Sequence, residues 1–285
     1  MNVLCRALGV SRSAYYAAKK RASSTKPCLF ALHLKAAFES SGKTYGSRRM
    51  VNAMTAKGFI IGRFKIRRLM QQHKLQTVWK RKFISTTNSK HKLPIADNVL
   101  NRAFNPAAAN QVFGCDITYI RTRMGWLYLA IVIDLFSRKV VGWAMAPSMP
   151  ADLVCQALKM AIQTRRPKAG LIVHSDRGSQ YASAEYQQLL NQHGFICSMS
   201  RKGNCWERAA YPKGYNAVTE RFFLNLKMER VWQKRYANHA EAQRDIVNYI
   251  VGFYNTERLH STLGYLSPAA FELKMLENTP LECPK

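Results

Sequence analysis

The chain has 285 residues, 47% of them hydrophobic and 11% aromatic, a globular composition long enough for one to three domains that excludes disordered chains and disulfide-stapled mini-proteins. Lys and Arg number 44 against 16 Asp and Glu, a formal charge of +28, and such an excess repels itself unless a polyanion is bound, so nucleic acid is the expected partner. Seven cysteines without a C-x-x-C pair argue against a disulfide framework or a zinc ribbon. No apolar run reaches the roughly 20 residues that span a bilayer, and the opening Met1–Arg6 lacks a signal-peptide pattern. A cytoplasmic protein is expected.

The charge is uneven along the chain. Residues 1–96 hold 21 Lys and Arg with one acid, Glu39, whereas residues 97–285 hold 23 against 15, which predicts a DNA-gripping front section. Leu4 to Tyr16 reads as a helix end, a turn at Gly9 and a Ser-capped second helix. From Tyr45, Ser47 is expected to cap a helix with Met50, Val51 and Met54 on one face, ended by Gly58 in a left-handed cap. After Gly62 a second helix puts Ile66, Leu69 and Met70 inward, while Arg63, Lys65, Arg67 and Arg68 populate its other faces. Two short helices around a Gly-containing turn, the second strongly basic, match a helix-turn-helix with a groove-reading helix. Residues 80–109, with Lys80–Lys82, Lys90, Lys92, Pro94 and Pro106, read as a basic linker.

Beyond Gln111 the period changes to that of strands. Val112–Arg121, Trp126–Ser137 and Lys139–Ala146 are β-branched and aromatic runs broken by short turns, the pattern of three antiparallel strands. A helix over Asp152–Arg165, a strand Leu171–His174, a helix Ala184–His193, a strand Phe195–Ser200 and a helix Ala217–Lys227 follow. That order is the one of the ribonuclease-H-like fold: a mixed five-stranded sheet flanked by helices, here preceded by a small all-α domain. The domains expected are residues 1–79 (helical, basic, DNA-binding), 80–109 (linker), 110–272 (catalytic core and C-terminal helices) and 273–285 (tail).

In so acid-poor a chain the carboxylates of the strand region stand out. Asp116 lies within the first strand, where a charge is out of place unless it faces a polar cleft, and Asp176 follows the fourth. If those strands are neighbours, the two carboxylates meet and repel unless a cation sits between them, and hard oxygen ligands select Mg²⁺ or Mn²⁺. Glu220, on a helix capped by Asn216 with Val218, Phe222 and Phe223 inward, supplies a third ligand. Lys227, two turns further along the same face, is placed to hold a phosphate. Glu207 and Asp134 are rival third ligands. Asp134 is expected to be structural, pairing with Arg138 or capping the turn; His174 is either a DNA- or water-positioning group or a packed strand histidine.

These residues carry a resemblance. Ser11-Arg12-Ser13-Ala14-Tyr15-Tyr16, Tyr45-Gly46-Ser47-Arg48-Arg49, Asp116-Ile117-Thr118-Tyr119, Asp134 to Arg138, His174 to Tyr181, Ser198 to Cys205, Asn216 to Glu220 and Tyr254-Asn255 together resemble the second-reading-frame products of the large insertion-sequence family of DDE transposases, whose core is similar to retroviral integrase. The resemblance implies a catalytic triad of Asp116, Asp176 and Glu220, with Lys227 on the transposon end. The chemistry expected is two-metal phosphoryl transfer, Asp116 bridging two Mg²⁺ or Mn²⁺ ions, with strand cleavage and then strand transfer. DNA contacts are expected from Lys227, His174, Arg48, Arg49, Arg63, Lys65, Arg67 and Arg68. A multimeric synaptic complex on double-stranded DNA, in the bacterial cytoplasm at the nucleoid, is implied, as is fusion with, or binding to, an upstream-frame product. One departure stands out: 43 residues separate Asp176 from Glu220, about eight more than the family spacing, with the surplus at 207–215 and absorbed as a Pro-Gly loop. The alternatives are a structure-selective nuclease of the same fold and a catalytically impaired DNA-binding relic or regulator.

Overall fold

The structure, a computed structural model, describes residues 2–23, 29–78, 96–100, 104–200 and 217–277. The chain divides into two compact units, Met1–Thr77 and Val78–Lys285.

The first unit is all helical: α1 (Asn2–Ala7), α2 (Arg12–Ser23), α3 (Leu29–Ser40), α4 (Ser47–Thr55) and α5 (Arg63–Gln72). Ser11 caps α2, its hydroxyl accepting from the Ala14 amide at 3.1 Å. Met50 and Met54 of α4 and Ile66 of α5 are fully buried, together with Leu34 and Phe38 of α3, so the apolar periodicity of the pair is the seam of a small helical core. Gly58 has φ +84°, the left-handed stop expected of it. Ser47 departs from its expected place as a cap. It is the first helical residue, with Gly46 in the cap position and no side-chain cap, and its hydroxyl accepts from Arg63 Nε at 3.4 Å.

The second unit is built on a five-stranded sheet of β1 (Val112–Thr122), β2 (Gly125–Asp134), β3 (Val140–Ala146), β4 (Ile172–Ser175) and β5 (Ile196–Met199), in the order β3-β2-β1-β4-β5. β1, β2 and β3 form an antiparallel meander, and β1–β4 and β4–β5 pair in parallel, as crossovers through helices require. Those crossovers are α6 (Ala151–Arg165) and α7 (Ala184–Gln192). They cover one face of the sheet, packing Leu153, Ala157, Leu158 and Tyr186 against Phe113, Cys115, Val132 and Val173. At Gly142 the approach of β3 to α6 is so close that a Cβ would stand 2.2 Å from the Ala157 carbonyl oxygen, so only glycine fits.

The other face carries α8 (Ala217–Glu229), α9 (His239–Asn248) and a π-helical turn (Tyr249–Tyr254), after which the chain continues through a 3₁₀ turn (Ser261–Leu263) to α10 (Pro268–Glu277). Phe222, Phe223 and Leu226 of α8 bury against Ile120, Leu129 and Ile131, with Tyr249 and Tyr254 behind them. Asn216, the expected cap of α8, lies outside the described residues, as do Glu207, the surplus loop at 207–215 and residues 80–95 of the expected linker.

β2 ends at Asp134, three residues earlier than the apolar run suggests. The fully buried Asp134 carboxylate accepts from the Phe136 amide at 3.0 Å and the Asn110 amide at 2.9 Å, which turns the chain. Its ion pair is with Arg165 at 3.0 Å, not with Arg138, whose guanidinium donates to the Phe104 carbonyl and to Asn105. Arg165 also donates to Glu272 at 2.7 Å, and Lys139 reaches the same carboxylate at 2.8 Å, tying α10 to the sheet. Asn255 uses its side-chain amide like a strand residue, accepting from the Val140 amide at 3.0 Å and donating to its carbonyl at 2.9 Å.

A second buried pair fixes the end of α8. Arg258, 1% exposed, donates from Nη2 and Nε to Glu229 at 2.7 and 2.9 Å, and the Tyr249 hydroxyl donates to the same carboxylate at 2.6 Å. Removing one partner would strand the other charge away from water. Arg258→Ala is therefore expected to destabilise the fold by about 3–5 kcal/mol, read as a lowered midpoint of urea unfolding.

Candidate active site

β1 is eleven residues long and β4 only four. Their parallel pairing covers just Val112–Gly114 against Ile172–His174, so Asp116 lies two residues beyond the paired stretch and Asp176 one residue beyond the end of β4. Both carboxylates therefore come to the same end of the parallel pair. α8 lies alongside: Thr219, fully buried, points its hydroxyl at Asp116 Oδ2 at 3.5 Å, and Glu220, exposed, is the next residue. Asp116 Oδ1 accepts from the Ile117 amide at 2.8 Å, and Asp176 Oδ1 from the Gly178 amide at 2.9 Å. A Cβ on Gly178 would stand 3.0 Å from that same oxygen.

The electrostatics follow from this crowding. Burial pushes the Asp116 carboxyl well above the ordinary carboxylate range, and the charges of Asp176 and then Glu220 push it further; the Ile117 amide and the Thr219 hydroxyl oppose the rise. Lys227, half-buried on α8, has its ammonium 4.8 Å from the centroid of the Tyr119 ring. Burial lowers its pKa and the Asp116 charge partly restores it. Tyr181, 2% exposed, buries a hydroxyl with no hydrogen-bond partner among the described residues, and the charges of Asp116 and Asp176 both bear on it. Among the described residues no three His, Cys, Asp or Glu side chains form a group that would hold a metal as they stand.

Asp116, Asp176, Glu220 and Lys227 thus share one electrostatic neighbourhood. His174 does not join them at the surface: it is 1% exposed, its Nδ1 lies 3.0 Å from the Ser198 hydroxyl, and its ring meets the edge of Phe104. It is a packed strand histidine. Asp134, consumed by Arg165 and two amides, is structural. Glu207 lies outside the described residues.

In the helical unit, Arg48, Arg63, Lys65, Arg67 and Arg68 are exposed, while Arg49 is half-buried with its guanidinium 5.7 Å from the Tyr45 ring centroid. Thr219, Tyr181 and the exposed pair Ile60 and Phe64, beside the basic residues of α5, escaped the sequence reading. Neither a hydroxyl one residue before a glutamate nor an apolar residue that fails to bury leaves a periodic signal.

Comparison with known proteins agrees with this arrangement. An HTH-like domain matches residues 29–83, and the Integrase core domain matches residues 106–205 and, in a second family, residues 220–276; the surplus loop falls in the unmatched stretch between. The Insertion element IS600 uncharacterized 31 kDa protein of Shigella sonnei is 43% identical over 95% of this chain and 98% of its own length. Transposase InsF for insertion sequence IS3A of Escherichia coli (strain K12) is 38% identical over 97% of this chain and 95% of its own length. The fold is thus that of an integrase-type core behind a helix-turn-helix region. The chain belongs to the insertion-sequence transposases of the IS3 type.

Among solved structures, an intasome of simian T-cell lymphotropic virus in complex with PP2A regulatory subunit B56 gamma aligns over 82% of this chain and 72% of that chain, at 16% identity and a TM-score of 0.47. The HTLV-2 integrase catalytic core domain in complex with magnesium aligns over 58% of this chain and 98% of that chain, at 15% identity and a TM-score of 0.43. No helix among the described residues is long and apolar enough to cross a membrane.

The raised Asp116 carboxyl has a consequence for stability. The folded protein holds that proton at pH values where the unfolded chain has released it, so stability falls as pH climbs from the ordinary carboxylate range through the raised value. Asp116→Asn is expected to raise the Tm of the metal-free protein at pH 7, and the gain is expected to shrink on acidification toward the ordinary aspartate value of 3.8, as followed by calorimetry across pH.

Proposed function

We propose that this chain is a DNA transposase that cuts one strand at the end of an insertion sequence and joins the freed 3′-hydroxyl to target DNA, with Asp116, Asp176 and Glu220 as its catalytic carboxylates. The observation that carries the reading is that Asp116, two residues past the β1–β4 pairing, and Asp176, one residue past β4, come to the same end of the parallel pair beside α8, where Thr219 meets Asp116 and Glu220 follows; the charges of Asp176 and Glu220 both push the half-buried Asp116 carboxyl up. Structural acids in this chain are instead neutralised by arginine, as Asp134 and Glu229 are.

The donor set suits a hard divalent cation. Carboxylate oxygens are the ligands of Mg²⁺ and Mn²⁺, and the orphaned Tyr181 hydroxyl is a polar atom that a loaded site can satisfy. Asp116, Asp176 and Glu220 would hold the metal. Bound there, a pair of such ions supplies Lewis acidity toward the phosphodiester and lowers the pKa of the attacking hydroxyl or water.

The protein's own groups do the positioning. The Ile117 amide and Thr219 fix the Asp116 carboxylate, the Gly178 amide fixes that of Asp176, and Lys227 offers a cation to a phosphate oxygen beside them. In hydrolysis a water oxygen bonds to phosphorus, the bond to the element's 3′-oxygen breaks, and a 3′-hydroxyl is left. In joining, that hydroxyl bonds to a target phosphorus and displaces the target's 3′-oxygen, so neither ATP nor a covalent protein intermediate is required.

The helical unit supplies affinity. Arg63, Lys65, Arg67 and Arg68 on α5, with Arg48 on α4, neutralise phosphates and place α5 in a groove. Self-association in a synaptic complex follows from the need to join two ends, and fusion with, or binding to, an upstream-frame product is the expected partnership. The cytoplasm, at the nucleoid, is the expected site of action.

With Mg²⁺ and labelled element-end DNA, Asp176→Asn and Glu220→Gln are each expected to lower cleavage and joining on the order of 10³-fold while duplex binding is kept; unchanged activity in either overturns the triad. Cleavage by the unsubstituted chain without any joined product would identify a nuclease of the same fold. Arg67→Ala and Arg68→Ala are each expected to reduce the slope of log affinity against log salt by about 1, measured by fluorescence anisotropy between low and physiological salt.

A further inference from the structure

The β1–β2 hairpin outruns the rest of the sheet. β4 flanks β1 only as far as Gly114, and β3 flanks β2 only from Tyr128 onward, so Arg121 to Trp126 project with a single bridge, Thr122 to Tyr236, at their side. Arg121 and Trp126 are directly opposite one another in the antiparallel register, and Tyr119 is two residues before Arg121; all three side chains therefore share one face. On that face the Arg121 guanidinium lies 6.0 Å from the Trp126 ring centroid and Tyr119 meets Trp126 edge-on at 5.0 Å; Lys227 reaches the Tyr119 ring from α8, across the strand, with its ammonium 4.8 Å from the centroid.

The result is a row of two aromatic rings with a cation at each end, Arg121–Trp126–Tyr119–Lys227, whose inner member is the lysine beside Asp116. The outer end is open to solvent: Trp126 is 46% and Met124 69% exposed, and Arg121 and Arg123 are exposed. Tyr236, whose carbonyl accepts from the Arg123 amide at 3.0 Å, brings the exposed Arg235 alongside. The acids nearest this edge are engaged, Asp245 by Lys234 and the Tyr236 hydroxyl, and Glu241 by the Ala237 amide. The strand rise separates Asp116 from Arg121 by roughly 17 Å.

We propose that this row is a platform for unpaired nucleotides of the DNA strand being processed, with a base stacked on Trp126 and the flanking phosphates on Arg121, Arg123 and Lys227. Rings flanked by cations match a single strand because an aromatic side chain can stack only on a base whose face has left the helix. A paired duplex offers phosphates but no base faces, so it uses the arginines without the indole. Asp116 points to the other face of the strand, and Lys227, in contact with the Tyr119 ring and under the charge of Asp116, is the link by which a strand end held on the platform is passed to the carboxylates. The proposal rests on the reading of the chain as a DNA-processing protein.

The test needs neither metal nor turnover. The full chain is titrated with a blunt element-end duplex and with the same duplex carrying an unpaired tail of about three nucleotides, both followed by fluorescence anisotropy. The tailed duplex is expected to bind more tightly than the blunt one; Trp126→Ala is expected to lose about tenfold on the tailed duplex with blunt binding unchanged, and Trp126→Phe to keep most of the advantage. Trp126 is half exposed, so its removal hollows no core, and unfolding curves of the variants check this. Trp126→Ala binding tailed DNA as the unsubstituted chain does, or losing equally on both duplexes, overturns the platform. An unsubstituted chain that binds both duplexes equally also overturns it and leaves the transposase reading standing, whereas one that binds neither strikes that reading itself.

Discussion

The parallel pairing of three residues of β1 with three of β4 governs the rest of the second unit. It sets the offset between a long strand and a short one, and with it the distance between two carboxylates 60 positions apart in the numbering. A slip of one residue would send Asp116 to the opposite face of the sheet, away from Thr219 and α8. The register is held by bulk: Phe113 and Val173 are buried under α6 and α7, and the amide of Leu135 bonds the carbonyl of Val112 at 3.0 Å. On the other side, α8 is pinned by Phe222, Phe223 and Leu226 in the core and by Glu229 at its end. The helix that presents Glu220 is thus positioned by core contacts from the next turn onward and by the ion pair at its end.

Acids are scarce in this chain, and the structure divides them by environment. Asp134, Glu229 and Glu272 are each bound to arginine or lysine and hold distant segments together. Asp116 is different, because its strongest neighbours apart from burial include two further acids. Charge of one sign placed together without arginine costs stability, a cost that stabilising the fold alone would remove. Such local departures from the rules that govern the rest of a fold are where function concentrates.

Much of this was legible in the sequence because it is periodic. The strand runs, the inward faces of α4 and α5, the left-handed stop at Gly58 and the acids inside apolar context all leave local patterns. What was not legible depends on partners far along the chain. Arg165 rather than Arg138 pairs with Asp134 because α6 folds back across the sheet, which no spacing reveals. Ser47 fails as a cap because Gly46 already occupies that position and the hydroxyl is taken by Arg63. His174 and Asp134 each sit in apolar strands beside motif residues, so sequence alone could not tell a packed polar group from a working one; burial and hydrogen bonding do. Trp126 and Tyr119 read as ordinary strand residues, and only the unequal strand lengths reveal that their shared face extends past the covering layers.

The side-chain amide of Asn255 occupies both peptide groups of Val140 on the outermost strand. An amide that mimics a strand neighbour closes that rim of the sheet to any real neighbour. Copies of the chain cannot therefore continue the sheet through the start of β3.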